Sequence, residues 1–264
     1  MRNRGSVLFA VVSVFGLSML TGCGMANTPL QVGTSLSGNW SFAPSSSSVV
    51  LNLGFMQGAY ETVSAIAHLN GSSCVSPSTD ILLTGSVGEN EQMLLVSSPF
   101  SGTTMTLKGQ VAGSGNGIAG ASWSFSGGNC ASLGTANVTA TDYSAINGTY
   151  TGTFVDGTGT QLAVSSLLQQ TSQPDLDGQF SLTGTAAFPN QNCFVNQPSV
   201  TTSMVTGSSL SMSYTDPLSS TVLTAVGTFN AQATQLTITS WSISGGMCSG
   251  DSGTGTLIEQ TQNL

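Results

Sequence analysis

The clearest chemical signal in the sequence is the run Cys248-Ser-Gly-Asp-Ser-Gly253. A serine hydroxyl becomes a nucleophile when a neighbouring base takes its proton, and a carboxylate orients that base. The sequence contains one histidine, His68, to serve as the base. Acyl transfer would therefore need Ser252 as nucleophile, His68 as base and a buried carboxylate such as Asp80 to orient the imidazole.

This run resembles the nucleophile segment of trypsin-like serine proteases, and Ala67-His68 resembles the alanine-histidine pair of that family. The resemblance implies two β-barrels, with the histidine on one and the serine on the other. In that family a Gly-Pro follows the nucleophile loop, whereas Thr254 stands here. Asp, Ser and Gly are also the residues of ordinary turns. We therefore expect Ser252 to lie in the last turn before a closing strand, and we expect the chain not to be an enzyme.

Three other groups of residues offer weaker chemistry. Asp175-Leu-Asp-Gly178 has part of a calcium loop but lacks the third ligand and the distal Glu of an EF-hand, which favours a solvated turn. Glu89-Asn-Glu91 is typical of a hairpin tip. Tyr60, Trp40 and Tyr150 could line a site for a sugar or an apolar ligand, but the last two occupy equivalent places in a repeat, which favours the core.

The N-terminal segment is typical of a secretory signal. Arg2 and Arg4 precede an apolar run over 7–20, which is too short to span a membrane. Leu20-Thr-Gly-Cys23 resembles the lipobox of bacterial lipoproteins. The resemblance implies removal of residues 1–22 and acylation of Cys23, and Gly24 favours the outer membrane over inner-membrane retention. The alternative is an ordinary signal peptide with a chance cysteine.

The composition excludes one class of partner. The sequence has 3 Lys and Arg against 11 Asp and Glu, and after loss of the signal only Lys108 is basic. Phosphate backbones are bound by clustered Lys and Arg, so we expect no nucleic-acid partner. An anionic membrane surface would repel this body as well. Contact with a membrane is therefore expected through the lipid alone.

The sequence repeats itself. ASWSFSGGNCAS at 121–132 recurs as TSWSISGGMCSG at 239–250, and Cys74 has its parallel in Cys193. The repeat predicts two tandem domains, 36–143 and 144–264, after a lipidated tether over 23–35.

Within each unit the apolar period is two. Val49, Leu51, Leu53 and Phe55 share one face of a predicted strand. About eight such runs per unit predict an all-β fold of two antiparallel domains, each a barrel or a sandwich. The apolar parity shifts ahead of both repeated tryptophans, which predicts a β-bulge near Ser122 and Ser240.

Four cysteines remain once Cys23 carries lipid. Pairing within each repeat predicts the disulfides Cys74 to Cys130 and Cys193 to Cys248, which suit an oxidising compartment. Each could stabilise its domain by roughly 4 kcal/mol through the loop that it closes. The sequence has no Cys-x-x-Cys spacing and no histidine cluster, so we expect neither a metal nor a cofactor.

These features predict a lipid-anchored envelope protein with a non-catalytic binding or structural role, similar in style to Gly/Ser/Thr-rich bacterial lipoproteins. The partner stays open between protein, glycan and small molecule. One alternative is a carrier that holds a small apolar molecule or a glycan inside a barrel. That alternative fails if Trp123, Phe125, Met105 and their partners in the second repeat fill the interior. A trypsin-like hydrolase is the remaining alternative.

Overall fold

The computed structural model describes residues 36–58, 62–113, 116–189 and 192–260. The predicted signal peptide, the tether and Cys23 lie outside these ranges, and so does Tyr60.

The first half of the chain forms one antiparallel sheet in the order β8-β7-β6-β5-β4-β3-β2-β1-β9. Its strands are β1 Gly38–Ala43, β2 Val50–Gln57, β3 Thr62–Asn70, β4 Ile81–Val87, β5 Gln92–Ser97, β6 Thr104–Val111, β7 Ile118–Ser126, β8 Thr135–Asn137 and β9 Thr139–Tyr143. The last two strands are one run of chain interrupted at Val138. Because β8 pairs with β7 and β9 pairs with β1, this run joins both edges of the sheet into a nearly closed barrel, barrel 1.

The second half forms a closed barrel of eight antiparallel strands, barrel 2, in which β10 pairs with β17. Its strands are β10 Asn147–Asp156, β11 Gln161–Gln170, β12 Phe180–Ala187, β13 Ser199–Thr206, β14 Ser209–Asp216, β15 Thr221–Phe229, β16 Gln235–Ser244 and β17 Ser252–Glu259. The predicted all-β class is therefore confirmed, and the choice between barrel and sandwich is decided for the barrel.

Helical structure within the described ranges is confined to two short 3-10 turns, Glu89–Glu91 and Ala131–Leu133. The first of them joins β4 to β5, so the predicted hairpin tip is confirmed. Over the same ranges, no helix has the length and hydropathy that a membrane span requires.

The predicted bulge is present in both barrels. In barrel 2, Val226 pairs with Ser240 and Gly227 with Ile238, which leaves Thr239 as the extra residue. In barrel 1, Lys108 pairs with Ser122 and Gln110 with Ala119, so the irregularity lies slightly before the predicted position. Gly120 explains the offset, because it takes a φ of 56° that a residue with a side chain rarely adopts.

Both disulfides have the predicted pairing, with Cα atoms 5.1 Å apart for Cys74 and Cys130 and 5.2 Å apart for Cys193 and Cys248. Each joins the loop after the third strand of its barrel to the loop after the seventh. In an antiparallel meander these loops share one end of the barrel, which we call the disulfide end. The opposite end of barrel 2, formed by turns 171–179, 207–208 and 230–234, is called the hairpin end.

Candidate functional site

The residues predicted for acyl transfer divide between the two barrels. His68 lies on β3 between the inward-facing Ala67 and Leu69, so its imidazole points away from the interior of barrel 1. Its Nε2 lies 3.0 Å from Oδ1 of Asp80, which is half-exposed. The structure therefore brings the proposed base and its orienting carboxylate together.

Ser252 is not part of that pair. It is the first residue of β17 on barrel 2, where it is exposed and pairs with Ser242. The turn ends one residue earlier, at Asp251, whose backbone bonds Cys248 and Ile243. Within the described ranges, no hydrogen bond joins Ser252 to His68, so the arrangement lacks the nucleophile–base contact of a triad. The absence of catalysis stays a prediction.

The segment with partial calcium-loop character is a turn at the hairpin end. The carboxylate of Asp175 accepts hydrogen bonds from the amides of Asp177 and Gln179, both at 2.9 Å. Its oxygen is thus occupied by its own backbone, as in an Asx turn. The possible metal-ligand atoms of three residues lie within 4.8 Å of one another: those of Cys193, Cys248 and Asp251. Its two sulfurs are bonded to each other and are not thiolate ligands.

The hairpin end of barrel 2 packs against the outer wall of β1, β2 and β3, and we call this contact the seam. The side-chain amide of Asn39 donates to the carbonyl of Gly207 and accepts from its amide, both at 2.7 Å. The ring of Tyr143 meets that of Phe229 with centroids 5.4 Å apart. The seam explains why the outward-facing polar residues Asn39 and Asn52 are buried.

Glycines permit the close approach at the seam. A Cβ added to Gly54 would lie 2.8 Å from Cβ of Pro174, and one added to Gly178 would lie 2.6 Å from the carbonyl oxygen of Ile66. A Cβ on Gly207 would collide with the amide of Asn52. At these three glycines the backbone of one barrel therefore lies directly against the surface of the other.

A cavity of about 490 Å³ opens beside the seam. Its lining residues come from both barrels: His68, Pro77, Ser78, Asp80, Asp177 and Gln179. The cavity thus gathers three of the residues singled out by sequence, a histidine and two carboxylates. Its hydroxyl, from Ser78, bonds Ser76 at 2.8 Å and not the imidazole.

The barrel interiors are filled at the positions that would have to be empty in a carrier. Met105, Trp123 and Phe125 are buried in barrel 1, as are their equivalents Leu223, Trp241 and Ile243 in barrel 2. The rings of Phe154 and Trp241 stack with centroids 5.7 Å apart. Trp40 and Tyr150 also lie in the cores, as the repeat predicts.

The two repeated tryptophans differ in one respect. Trp241 Nε1 donates to the carbonyl of Thr254 at 3.0 Å. Trp123 Nε1 is buried and has no hydrogen-bond partner among the residues that the structure describes. The equivalent donor is therefore satisfied in one barrel and unsatisfied in the other.

Sequence reasoning missed a buried carboxylate at the disulfide end of barrel 2. Asp216 is fully buried and accepts hydrogen bonds from the amides of Val195, at 2.6 Å, and Leu218, at 2.9 Å, and from the hydroxyl of Ser219, at 2.7 Å. Burial by itself raises the pKa of Asp216, but these donors outweigh it and hold the pKa well below its ordinary value. The Asp-Pro pair at 216–217, typical of a turn start, was the available signal.

Sequence reasoning also missed a groove of about 850 Å³ on the outer wall of β10, β11 and β12. Amide and hydroxyl groups from Asn147, Gln169, Gln173 and Thr183 line it. Exposed Leu167 adds an apolar surface. The groove can hydrogen-bond a polar ligand from several sides.

Comparisons of this chain with protein-family models, with curated proteins and with solved structures returned no match.

Proposed function

We propose that the chain is a lipid-anchored protein of the bacterial cell envelope with a non-catalytic binding or structural role. The apolar run over 7–20 and the lipobox-like Leu20-Thr-Gly-Cys23 support the anchor, with Cys23 as the acylated residue. Both disulfides support an oxidising compartment, since such bonds persist outside the reducing cytosol.

The observation that supports this role is that side chains fill the interiors of both barrels. A barrel of eight strands has room for its own side chains or for one small ligand. With Trp123 and Trp241 buried in their cores, a ligand would be bound on the outer surfaces. The pairing of His68 with Asp80, away from Ser252, supports a role without acyl transfer.

The anchor is tested by expressing the full chain and its Cys23→Ser variant in a bacterial host. We expect the wild type in the membrane fraction, at the density of outer membranes, with an intact mass above that of the polypeptide. The variant should appear in the soluble periplasmic fraction. Ser18→Ala, in the same apolar run, is the matched control and should fractionate as the wild type.

Equal membrane association of wild type and Cys23→Ser would refute the anchor. The binding role is examined with the soluble variant by native mass spectrometry. Filled interiors lead us to expect the bare mass with two disulfides. A retained small molecule that is released on denaturation would favour the carrier instead.

A further inference from the structure

Three large apolar side chains stand exposed at the disulfide end of barrel 2. Val195 is 69% exposed, Leu218 is 68% exposed and Met247 is 78% exposed. They lie on three different loops, 188–198, 217–220 and 245–251. We call these three residues the crown.

The loops of the crown are tied to one another. Asp216 accepts hydrogen bonds from the amides of both Val195 and Leu218, which places those two residues around one carboxylate. The disulfide from Cys193 to Cys248 ties the first loop to the third, directly beside Met247. The crown is therefore held as a unit by a buried hydrogen-bond network and a covalent bond.

Phe194 fixes the direction in which Val195 points. The ring of Phe194 stacks on buried Phe188 with centroids 4.3 Å apart, and it packs against the core of barrel 2. The next residue is consequently turned outwards. A loop whose backbone is already fixed needs little further ordering of that backbone when a partner covers it.

Barrel 1 does not have a crown at its own disulfide end. Two residues after its first cysteine stands Ser76 in place of Val195, and directly before its second cysteine stands Asn129 in place of Met247. The counterpart of Leu218 is Phe100, which follows a proline in the same turn and is only 7% exposed. The shared architecture thus does not require exposed apolar residues at these positions, and their presence in barrel 2 is a property of that barrel.

The charge around the crown defines the partner. Asp251 lies in the loop of Met247, and Asp156 pairs with Gly253 at the same end of the barrel. Between residues 144 and 260 the sequence has no Lys, Arg or His, and its acidic residues are Asp156, Asp175, Asp177, Asp216, Asp251 and Glu259. An anionic membrane surface would repel this end, and so would the same end of a second copy.

We propose that the crown is the docking surface for a protein partner that presents an apolar pocket bordered by Lys or Arg. Val195, Leu218 and Met247 enter the pocket, and Asp251 and Asp156 face its basic rim. Oδ1 of Asp156 accepts hydrogen bonds within its own turn, from Thr158 and Thr160, so its contact with the rim is made through Oδ2. Three side chains make a contact at the small end of specific interfaces, which suits a reversible partner. The proposal rests on the binding role proposed above and is independent of the anchor at Cys23.

The test places a photo-reactive amino acid at Leu218 in the full-length protein, in the bacterium that produces it. Leu176, which is 90% exposed at the hairpin end of the same barrel, is the matched control position. We expect one discrete cross-linked protein from Leu218 and none from Leu176, and on the surface of that protein the linked residue should lie in an apolar pocket bordered by Lys or Arg. Introducing Val195→Ser and Met247→Asn, the residues of barrel 1, should reduce the product about tenfold, as loss of central apolar contacts does.

Four outcomes would overturn the proposal. They are cross-linking to phospholipid, cross-linking to a second copy of the chain, the same product from Leu176, and no product at all. Unchanged thermal melting of the double variant will show that the exposed substitutions leave the fold intact. The anchor is tested by a different experiment, the membrane fractionation of Cys23→Ser. A wrong anchor and a wrong docking surface would therefore give different results.

Discussion

Single residues show where the two halves of a duplicated chain have diverged. Trp123 and Trp241 occupy the same repeat position and are both buried, yet within the described part of the chain only Trp241 Nε1 has an acceptor. A buried donor without a partner loses its hydration and gains nothing in return. The same side chain therefore contributes differently to the stability of its two barrels.

We expect Trp241→Phe to destabilise the protein more than Trp123→Phe, by about 1–3 kcal/mol. Both changes remove the same volume, but only the first breaks a hydrogen bond, and the second removes an unsatisfied donor. Urea unfolding followed by far-ultraviolet circular dichroism measures both free energies. Equal losses would contradict the difference in hydrogen bonding.

Asp216 makes the disulfide end of barrel 2 sensitive to acid. Because hydrogen bonds hold its folded pKa below the ordinary value of about 4, its contribution is complete above that value and is lost as the pH falls through the folded pKa. Asp216→Asn should therefore lower the melting temperature at neutral pH and flatten its decline in acid.

Thermal melts at pH values from about 7 down to about 2 test this prediction. Asp177→Asn, on an exposed turn of the same barrel, is the control and should leave the melting temperature unchanged. A wild-type decline in acid that Asp216→Asn fully retains would show that another carboxylate is responsible.

At the scale of strands and loops, most of the correct predictions came from local sequence patterns. Alternation in Val49, Leu51 and Leu53 predicted a strand, and the repeated cysteines predicted both disulfides, because each signal is short-range or duplicated. Closure of barrel 1 could not be predicted. It depends on the change of partner at Val138. The amide of Val138 still donates to the carbonyl of Ala121 on β7, at 2.9 Å, and the next residue, Thr139, begins β9 and pairs with β1.

The burial of outward-facing polar residues also could not be predicted from the local sequence pattern. Asn52 has the parity of a solvent-exposed residue on β2, and His68 has the same parity on β3. Both are buried because turns of barrel 2 that are more than 100 residues away in sequence cover that wall, a relation that alternation does not encode. The crown was missed for the opposite reason, since apolar loop residues carry no periodic signal.

The relative position of the two barrels depends on the seam between them. Gly207 has a φ of 55° and no room for a Cβ, whereas Gly134 has the same φ and open space around it. Gly207→Val and Gly134→Val therefore share the backbone strain, and only the first collides with Asn52. We expect Gly207→Val to cost about 1–3 kcal/mol more than its control.

Small-angle X-ray scattering provides the second measurement for this pair. The radius of gyration should rise in Gly207→Val, as the barrels separate, and stay at the wild-type value in Gly134→Val. An unchanged radius in both variants would mean that the remaining contacts, such as Tyr143 on Phe229, hold the seam without Gly207.

The seam joins an end to a wall, so it has a direction. A contact between identical surfaces closes on itself, whereas a contact between two different surfaces leaves one of each uncovered. The wall of barrel 1 formed by β1, β2 and β3 packs against the hairpin end of barrel 2. Within the described part of the chain, the corresponding wall of barrel 2, formed by β10, β11 and β12, packs against no other barrel, and the groove of about 850 Å³ lies on it. Among the described residues, two equivalent walls thus have different surroundings: one forms the seam, and the other presents an open groove.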